Sequence, residues 1–410
     1  MSRRPTLLFV SPRFLFPIDQ GGKIRTCGIL RGLQGGRFEI VLAAPAPPGA
    51  VAAHAAGIAS VCDRFVGWPE PRGGRLRRLA ALAGRLPVSV ASDVSAAGRA
   101  IVAAALAARP DLVVVDFPHA AVLLPDTVGC PAVMFTHNIE AEILARHAAV
   151  ATRLWRPVWQ RQARLMAAFE RAVLPRFDTV IAVSRRDSDE LRRRYDLAGL
   201  ATIDTGVDLG FYAFDPPGPG PGEDGGAVVF SGAMDSRSNI DGIAFLMDEV
   251  WPLVAAARPA AQALIVGRNP PASLVAEAAR RGLRWRFTGF VDDIRPYVRQ
   301  GEVSVIPLRV GSGTRLKAFE AMALGRPVVS TGLGIEGLGV TAEDHYLRAD
   351  TAGEFAAAIL RLLADAALRG RIATTARGLL EANFSWERVA QQFEAICLAT
   401  LQRGERKAPA

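Results

Sequence analysis

The stretch from Val303 to Ile335 restricts the possible folds more than any other part of the chain. Val303, Val305 and Ile306 form a short apolar run closed by Pro307, and a loop containing Gly311 and Gly313 follows. Leu316, Phe319, Glu320, Met322 and Ala323 then recur at helical spacing, and Pro327 to Ser330 reads as a second strand. Two short strands joined through a helix run parallel, since a tight hairpin connects only antiparallel ones. Glycines let the backbone approach a ligand, and a helix start presents unpaired N–H groups with a partial positive charge, so the loop suits a phosphate. Arg315 and Lys317 put cations in the first turn, where the helix dipole disfavours them; a bound anion removes that conflict. A surface turn with two solvated charges is the alternative these residues leave open.

The same alternation runs through the rest of the chain. Strands are expected at Thr6 to Val10, Phe38 to Ala43, Leu112 to Val115, Ala132 to Phe135 and Thr179 to Val183, with helical segments between them. The loop from Ser11 ends in Gly21-Gly22 at a helix start, a second place where backbone can approach a phosphate. The segment Arg153 to Leu174, with Trp155, Trp159, Leu165, Met166 and Phe169, reads as a helix with its apolar face in the core. Residues Asp215 to Gly226 are dense in Pro and Gly and read as a linker. Strands resume at Ala227 to Phe230, Ala263 to Val266 and Arg286 to Phe287. The expected divisions are 1–207, a linker at 208–226, 227–385, and a helix from Trp386 to about Leu401 packing back on the first domain. At 410 residues, two doubly wound α/β domains are a better fit than one core.

Several classes are excluded by composition. No apolar run reaches the roughly 18 residues that a membrane-spanning helix needs. Ser11-Pro12-Arg13 interrupts what would be a signal-peptide core, so a cytoplasmic protein is expected. Cys27, Cys62, Cys130 and Cys397 are scattered without metal-binding spacing, and no metal site is expected. Residues 1 to 205 hold 27 Lys and Arg against 17 Asp and Glu, while the remainder is nearly balanced. That asymmetry points to anionic substrates or an anionic membrane surface; nucleic acid is disfavoured because no aromatic-basic binding module is visible. The segment Arg72 to Leu86, with Arg72, Arg75, Arg77, Arg78 and Arg85, could lie on such a membrane or pack as a solvated amphipathic helix. His137, at the carboxyl end of a strand and near Glu140, is the best histidine candidate for a site.

Read in order, Gly313-Thr314-Arg315-Leu316-Lys317, Glu320-Ala321-Met322-Ala323, Gly325-Arg326-Pro327 and Gly334-Ile335-Glu336-Gly337-Leu338 resemble the donor-site signature of retaining glycosyltransferases of family 4. Supporting matches are Gly21-Gly22, His137-Asn138 with Glu140, Gly206-Val207-Asp208, Gly232-Ala233-Met234-Asp235, Thr288-Gly289-Phe290 and Ser385-Trp386-Glu387. The resemblance implies the GT-B fold, two Rossmann-like domains facing across a cleft. It also implies a nucleotide diphosphate sugar as donor, no cofactor and no metal, and an acceptor on the first domain, where the excess of positive charge leads us to expect an anionic or lipid-linked one.

Carried over by position, Glu320 would bind the ribose hydroxyls. Gly313, Thr314 and Arg315 would cradle the diphosphate, with Lys317 and Arg237 adding charge and Gly22 approaching from the opposite domain. Phe290 and Val291 would lie at the base, and His137 would reach the transferred sugar. Three positions depart from the family pattern. Ser312 stands where many members have a sugar-contacting Glu, Arg237 is followed by Ser238 and Asn239 with no Lys, and Thr205 replaces the usual Asn. Arg315 and Lys317 are expected to supply the missing charge. A nucleotide-sugar epimerase on the same fold and a non-catalytic nucleotide-sugar binder are the competing classes.

Overall fold

The computed structural model describes residues 3–70, 81–216, 218, 225–310 and 316–407. Ser312, Gly313, Thr314, Arg315 and the arginines at 72, 75, 77 and 78 lie outside the described residues. The chain forms two compact units, Met1–Thr205 with Trp386–Ala410, and Gly206–Ser385.

The first unit is a seven-stranded sheet: β1 Thr6–Val10, β2 Glu39–Ala46, β3 Arg64–Pro69, β4 Leu112–Asp116, β5 Ala132–Phe135, β6 Thr179–Ala182 and β7 Leu200–Thr202, in the order β3-β2-β1-β4-β5-β6-β7. All its pairings are parallel. β4 is buried along its whole length, which is why it reads as an unbroken Val run instead of an alternating one. Each such side chain contributes roughly 1.5 to 3 kcal/mol when fully buried. Of the flanking helices, α1 (Gly21–Leu33), α2 (Ala96–Ala107), α3 (Glu140–Val150), α4 (Arg156–Val173) and α5 (Arg185–Tyr195) are the main ones. β3 and β7 escape sequence reading: β3 lies at the sheet edge and is only partly buried, and β7 is three residues long.

Helix α4 starts three residues later than expected, and Trp155, placed in the core by the sequence reading, is 58% exposed. The segment from Ala151 to Trp155 is instead the turn between α3 and α4. Met166 keeps its expected core position.

The second unit is a six-stranded parallel sheet: β8 Ala227–Ser231, β9 Gln262–Val266, β10 Trp285–Phe287, β11 Val303–Ile306, β12 Val328–Ser330 and β13 Leu347–Arg348, in the order β10-β9-β8-β11-β12-β13. Helix α6 (Arg237–Phe245) follows β8 and α7 (Leu316–Ala323) precedes β12. Helices α8 (Ala352–Ala364) and α9 (Ala366–Asn383) close the unit, α8 starting at a capping box between Thr351 and Glu354. The first part of the expected linker is built into this unit. Tyr212 is half-buried against the core, and Arg377 of α9 donates to the carbonyls of Leu209 and Tyr212. A Pro/Gly stretch looks like a tether in sequence, but the aromatic residues just before it have a core to join.

After Ser385 the chain returns to the first unit as α10 (Trp386–Lys407), longer than the expected helix to Leu401. Gly28 and Gly32 of α1 make the contact possible. A Cβ on Gly28 would stand 2.4 Å from the Trp386 ring, and one on Gly32 would stand 2.3 Å from Ala390 Cβ. Phe393 and Cys397 of α10 enter the core beside Phe135 and Leu33.

Candidate functional site

In each unit the strand order reverses direction once, between β1 and β4 and between β8 and β11. The loops at the carboxyl ends of those strands diverge and leave a crevice, the usual ligand position in open α/β sheets. The described candidate residues of each unit lie beyond the carboxyl ends of its strands, on the loops and helices that follow them.

In the second unit, Gly232 follows β8, Gly267 follows β9 and Gly289 follows β10. Gly267 cannot carry a side chain, since a Cβ would stand 1.9 Å from the Gly232 carbonyl oxygen. This close backbone approach sets the loop from Gly232 to Ser236 over the sheet end, where α6 begins. Asn239, in the first turn of α6, is buried; its Nδ2 donates to the Ala233 carbonyl at 2.7 Å, which leaves Oδ1 to accept from Lys317 Nζ at 2.7 Å. The same ammonium lies 4.5 Å from the centroid of the Phe230 ring. Lys317 comes from α7, 78 residues further on. The loop after β8 and the helix after β11 therefore share one cation.

One turn along α7, Glu320 is half-buried and accepts from the Tyr212 hydroxyl at 3.0 Å. Burial raises its pKa above the ordinary carboxyl value, opposed by the Tyr212 hydrogen bond and by the charge of Lys317. Burial also raises the Tyr212 phenol, with the nearby carboxylate adding to the shift. Phe290 is 71% exposed after the left-handed Gly289, while Val291 packs beside Val229 and Leu264. Arg237 is exposed at the start of α6.

In the first unit, β4 ends on Asp116, a buried carboxylate. Thr26 Oγ1 donates to its Oδ2 at 3.0 Å and Ser11 Oγ to the same oxygen at 3.2 Å. His137 Nε2 lies 2.6 Å from Oδ1, and Arg25 Nη1 lies 3.1 Å from His137 Nδ1. A guanidinium can only donate, so Nδ1 accepts and the proton sits on Nε2, facing Asp116. Arg25 also donates to Thr205 Oγ1 at 2.6 Å. Burial lowers the His137 pKa against the pull of Asp116, and the ring is neutral. Burial likewise brings Arg25 down to about 10, which leaves it charged at neutral pH.

His137 is 1% exposed, and both ring nitrogens are occupied within the protein. Phe117 stacks on the imidazole with centroids 3.9 Å apart. A Cβ on Gly22 would stand 2.8 Å from the tip of the same ring. Phe117 thus separates two residues singled out in the sequence, and it holds a positive φ of 68° to do so.

The structure brings Lys317 and Glu320 together on α7 and joins Gly22 to His137 through Phe117. It adds Asp116, Arg25, Thr26, Ser11, Asn239 and Tyr212, which the sequence reading did not assign to a site. Asp116 had a legible signal, an acid closing an apolar strand. The partners of Arg25 and Asn239 lie 112 and 78 residues away, and no local pattern announces them.

The family model described as Glycosyltransferase Family 4 matches residues 20–211, and that described as Glycosyl transferases group 1 matches residues 225–365. A glycogen synthase of Mycobacterium tuberculosis (strain ATCC 25618 / H37Rv) is 28% identical over 317 residues, covering 73% of this chain and 71% of that protein. Among solved structures, sucrose-phosphate synthase from Thermosynechococcus elongatus aligns with a TM-score of 0.69 at 20% identity, over 98% of this chain and 100% of that one. Anabaena Alr3699/HepE in complex with UDP and glucose aligns with a TM-score of 0.65 at 15% identity, over 96% and 100%. At these identities the structural likeness establishes the fold, GT-B.

Proposed function

Because the chain belongs to the glycosyltransferases of family 4, we propose that it is a retaining enzyme that moves a sugar from a nucleotide diphosphate sugar to an acceptor, in surface polysaccharide or glycoconjugate synthesis and without a metal ion. The observation that carries the donor reading is Lys317, held by Asn239 and Phe230 at the carboxyl end of β8. The family's usual second cation on that loop is missing from the sequence, and an ammonium arrives at Asn239 from α7 in its place. That HepE binds UDP and glucose on the same fold supports a nucleotide sugar as donor.

In this reading Lys317 and Arg315, with the N–H groups at the starts of α6 and α7, face the diphosphate. Arg237 adds a third, solvent-side cation. Glu320 accepts from the ribose hydroxyls, and Phe290 and Val291 border the base, Phe290 through its exposed ring. Ser312, Gly313 and Thr314 complete the phosphate loop, and Gly22 offers helix-start backbone from α1. Sugar transfer passes through an oxocarbenium-like state as the leaving diphosphate gains charge. Fixed cations and dipoles stabilise that charge more than they stabilise the bound donor, which lowers the barrier. Retention follows if the acceptor attacks on the face the diphosphate leaves, with the leaving phosphate taking its proton. His137, committed to Asp116 and Arg25, meets the sugar only once Phe117 moves off its face.

Incubation with a labelled nucleotide sugar tests the reaction class. Transfer to an acceptor, or hydrolysis, supports the transferase. An isomerised donor would mean an epimerase, and binding alone a sensor. The shared-charge reading predicts that Arg315→Ala and Lys317→Ala each lose more than about tenfold in turnover, roughly 1.4 kcal/mol, and that the double variant loses more than either. Wild-type rates in the single variants would mean that neither charge is needed at the diphosphate.

Tyr212→Phe tests the support of Glu320. The hydroxyl stabilises the ionised carboxylate, so its removal raises the Glu320 pKa further. Nucleoside diphosphate affinity should then weaken on acidification at a higher pH in Tyr212→Phe than in the wild type, measured by calorimetric titration across pH. Superimposable pH profiles would rule out a positioning role for Tyr212.

A further inference from the structure

The turn between α3 and α4 presents Leu154 and Trp155, 88% and 58% exposed. Among the described residues no large apolar side chain is more exposed than Leu154. The turn is built, because the N–H groups of Trp155 and Arg156 both donate to the Thr152 carbonyl at 2.9 Å and Trp159 N–H donates to that of Trp155 at 3.1 Å. The two side chains are therefore held outward at a definite place.

The charge around them has one sign. From Ile143 to Phe169 the sequence holds five arginines and no Asp or Glu. Arg146 pairs with Glu142 at the far end of α3, and Arg161 donates to the carbonyls of Leu82 and Gly84. Arg153, Arg156 and Arg164 are exposed and have no acidic partner among the described residues. Beside the turn, Ala145, Ala149 and Ala163 line a shallow groove between the helices, bordered by Arg156 and Arg164.

We propose that this tip docks the chain onto an anionic phospholipid bilayer. Leu154 and Trp155 enter the boundary between headgroups and acyl chains, where the amphipathic indole is favoured. Arg153, Arg156 and Arg164 pair with lipid phosphates, which guanidinium groups grip with two hydrogen bonds. Two apolar side chains on a turn are far short of the roughly 800 Å² per partner of a stable protein interface. They suffice as a wedge when a cationic rim adds its attraction to an acidic surface. The site differs from the segment Arg72 to Leu86, which the sequence leaves open to a membrane or to packing as a solvated helix and of which residues 72–80 lie outside the described residues. It also does not depend on the transferase reading, because the test needs no donor.

The test is sedimentation of the full chain with vesicles of phosphatidylcholine alone and of phosphatidylcholine with phosphatidylglycerol. The wild type should partition onto the anionic vesicles at least about tenfold better than onto neutral ones, and salt should reverse this. The double variants Leu154→Ser with Trp155→Ser, and Arg153→Ser with Arg156→Ser, should each lose about tenfold or more in partition, equal to about 1.4 kcal/mol. Arg280→Ser with Arg284→Ser, which removes the same charge from exposed sites of the second unit, should bind like the wild type. Because the substituted side chains are exposed, thermal unfolding should be unchanged in all three. Wild-type chain left in the supernatant with anionic vesicles at low salt would overturn the proposal, as would tip variants that sediment like the wild type. A concentration-dependent dimer in the ultracentrifuge, lost in Leu154→Ser with Trp155→Ser while lipid binding persists, would overturn it in favour of a second copy.

Discussion

Asp116→Ala should lower the thermal midpoint of the chain by on the order of 10 °C, the largest stability loss expected from a single substitution in either crevice. The carboxylate accepts from Ser11, Thr26 and His137, and its charge favours the ionised form of the buried Arg25 more than any other. Removing it takes the acceptor from the Thr26 hydroxyl and from His137 Nε2–H, leaves Ser11 Oγ only the Arg13 carbonyl, and strips the buried guanidinium of its strongest counter-charge. Losing these buried hydrogen bonds to a carboxylate while the Arg25 charge stays desolvated costs about 3 to 5 kcal/mol. Asp116→Asn keeps the shape and one acceptor and should fall between the two. Differential scanning calorimetry on the three proteins checks this. A midpoint for Asp116→Ala within about 1 °C of the wild type would show that the network is relaxed by water and holds little of the first unit together.

Glu320→Ala should weaken nucleoside diphosphate binding by about 1.5 to 3 kcal/mol, the usual cost of hydrogen bonds to a charged group. That corresponds to a Kd raised roughly 10- to 150-fold. The loss should be specific to the ribose. A 2′-deoxynucleoside diphosphate should bind the wild type more weakly than its ribose counterpart, and Glu320→Ala should no longer distinguish the two. Thermal-shift screening across nucleoside diphosphates selects the base to use, since a ligand that binds only the folded chain raises its midpoint. An unchanged Kd in a folded Glu320→Ala variant would show that the carboxylate does something other than hold the ribose.

The strands legible in the sequence are those with a continuous apolar run, such as β1, β4, β5 and β11, because burial on both faces leaves one pattern available to them. β3, β7 and β13 were not legible; a strand at an edge or only two or three residues long has too little buried surface to mark its sequence. Helix α4 shows the opposite error. Its periodic apolar residues extend back to Trp155 in sequence, but the turn at Ala151 takes that residue out of the core. Within the crevices, Gly22, His137 and Lys317 stood out because they lie at strand-to-helix junctions, where chemistry collects, and Glu320 through its place in the family motif. Asp116 and Asn239 lie at equivalent junctions and were passed over because single acids and amides are common at such places for structural reasons alone.

Local sequence was enough to settle the alternation of strand and helix, the parallel sense of both sheets and the family, since each depends on residues within one βα unit or on short motifs in order. The tertiary structure alone decided which side chains share a partner. Arg25 meets His137, Lys317 meets Asn239, and Tyr212 meets Glu320 across 78 to 112 residues of chain. The same holds for the return of α10 to the first unit through Gly28 and Gly32. Such pairings follow from how sheets order their strands and how closely helices approach, and those are set by packing over the whole unit.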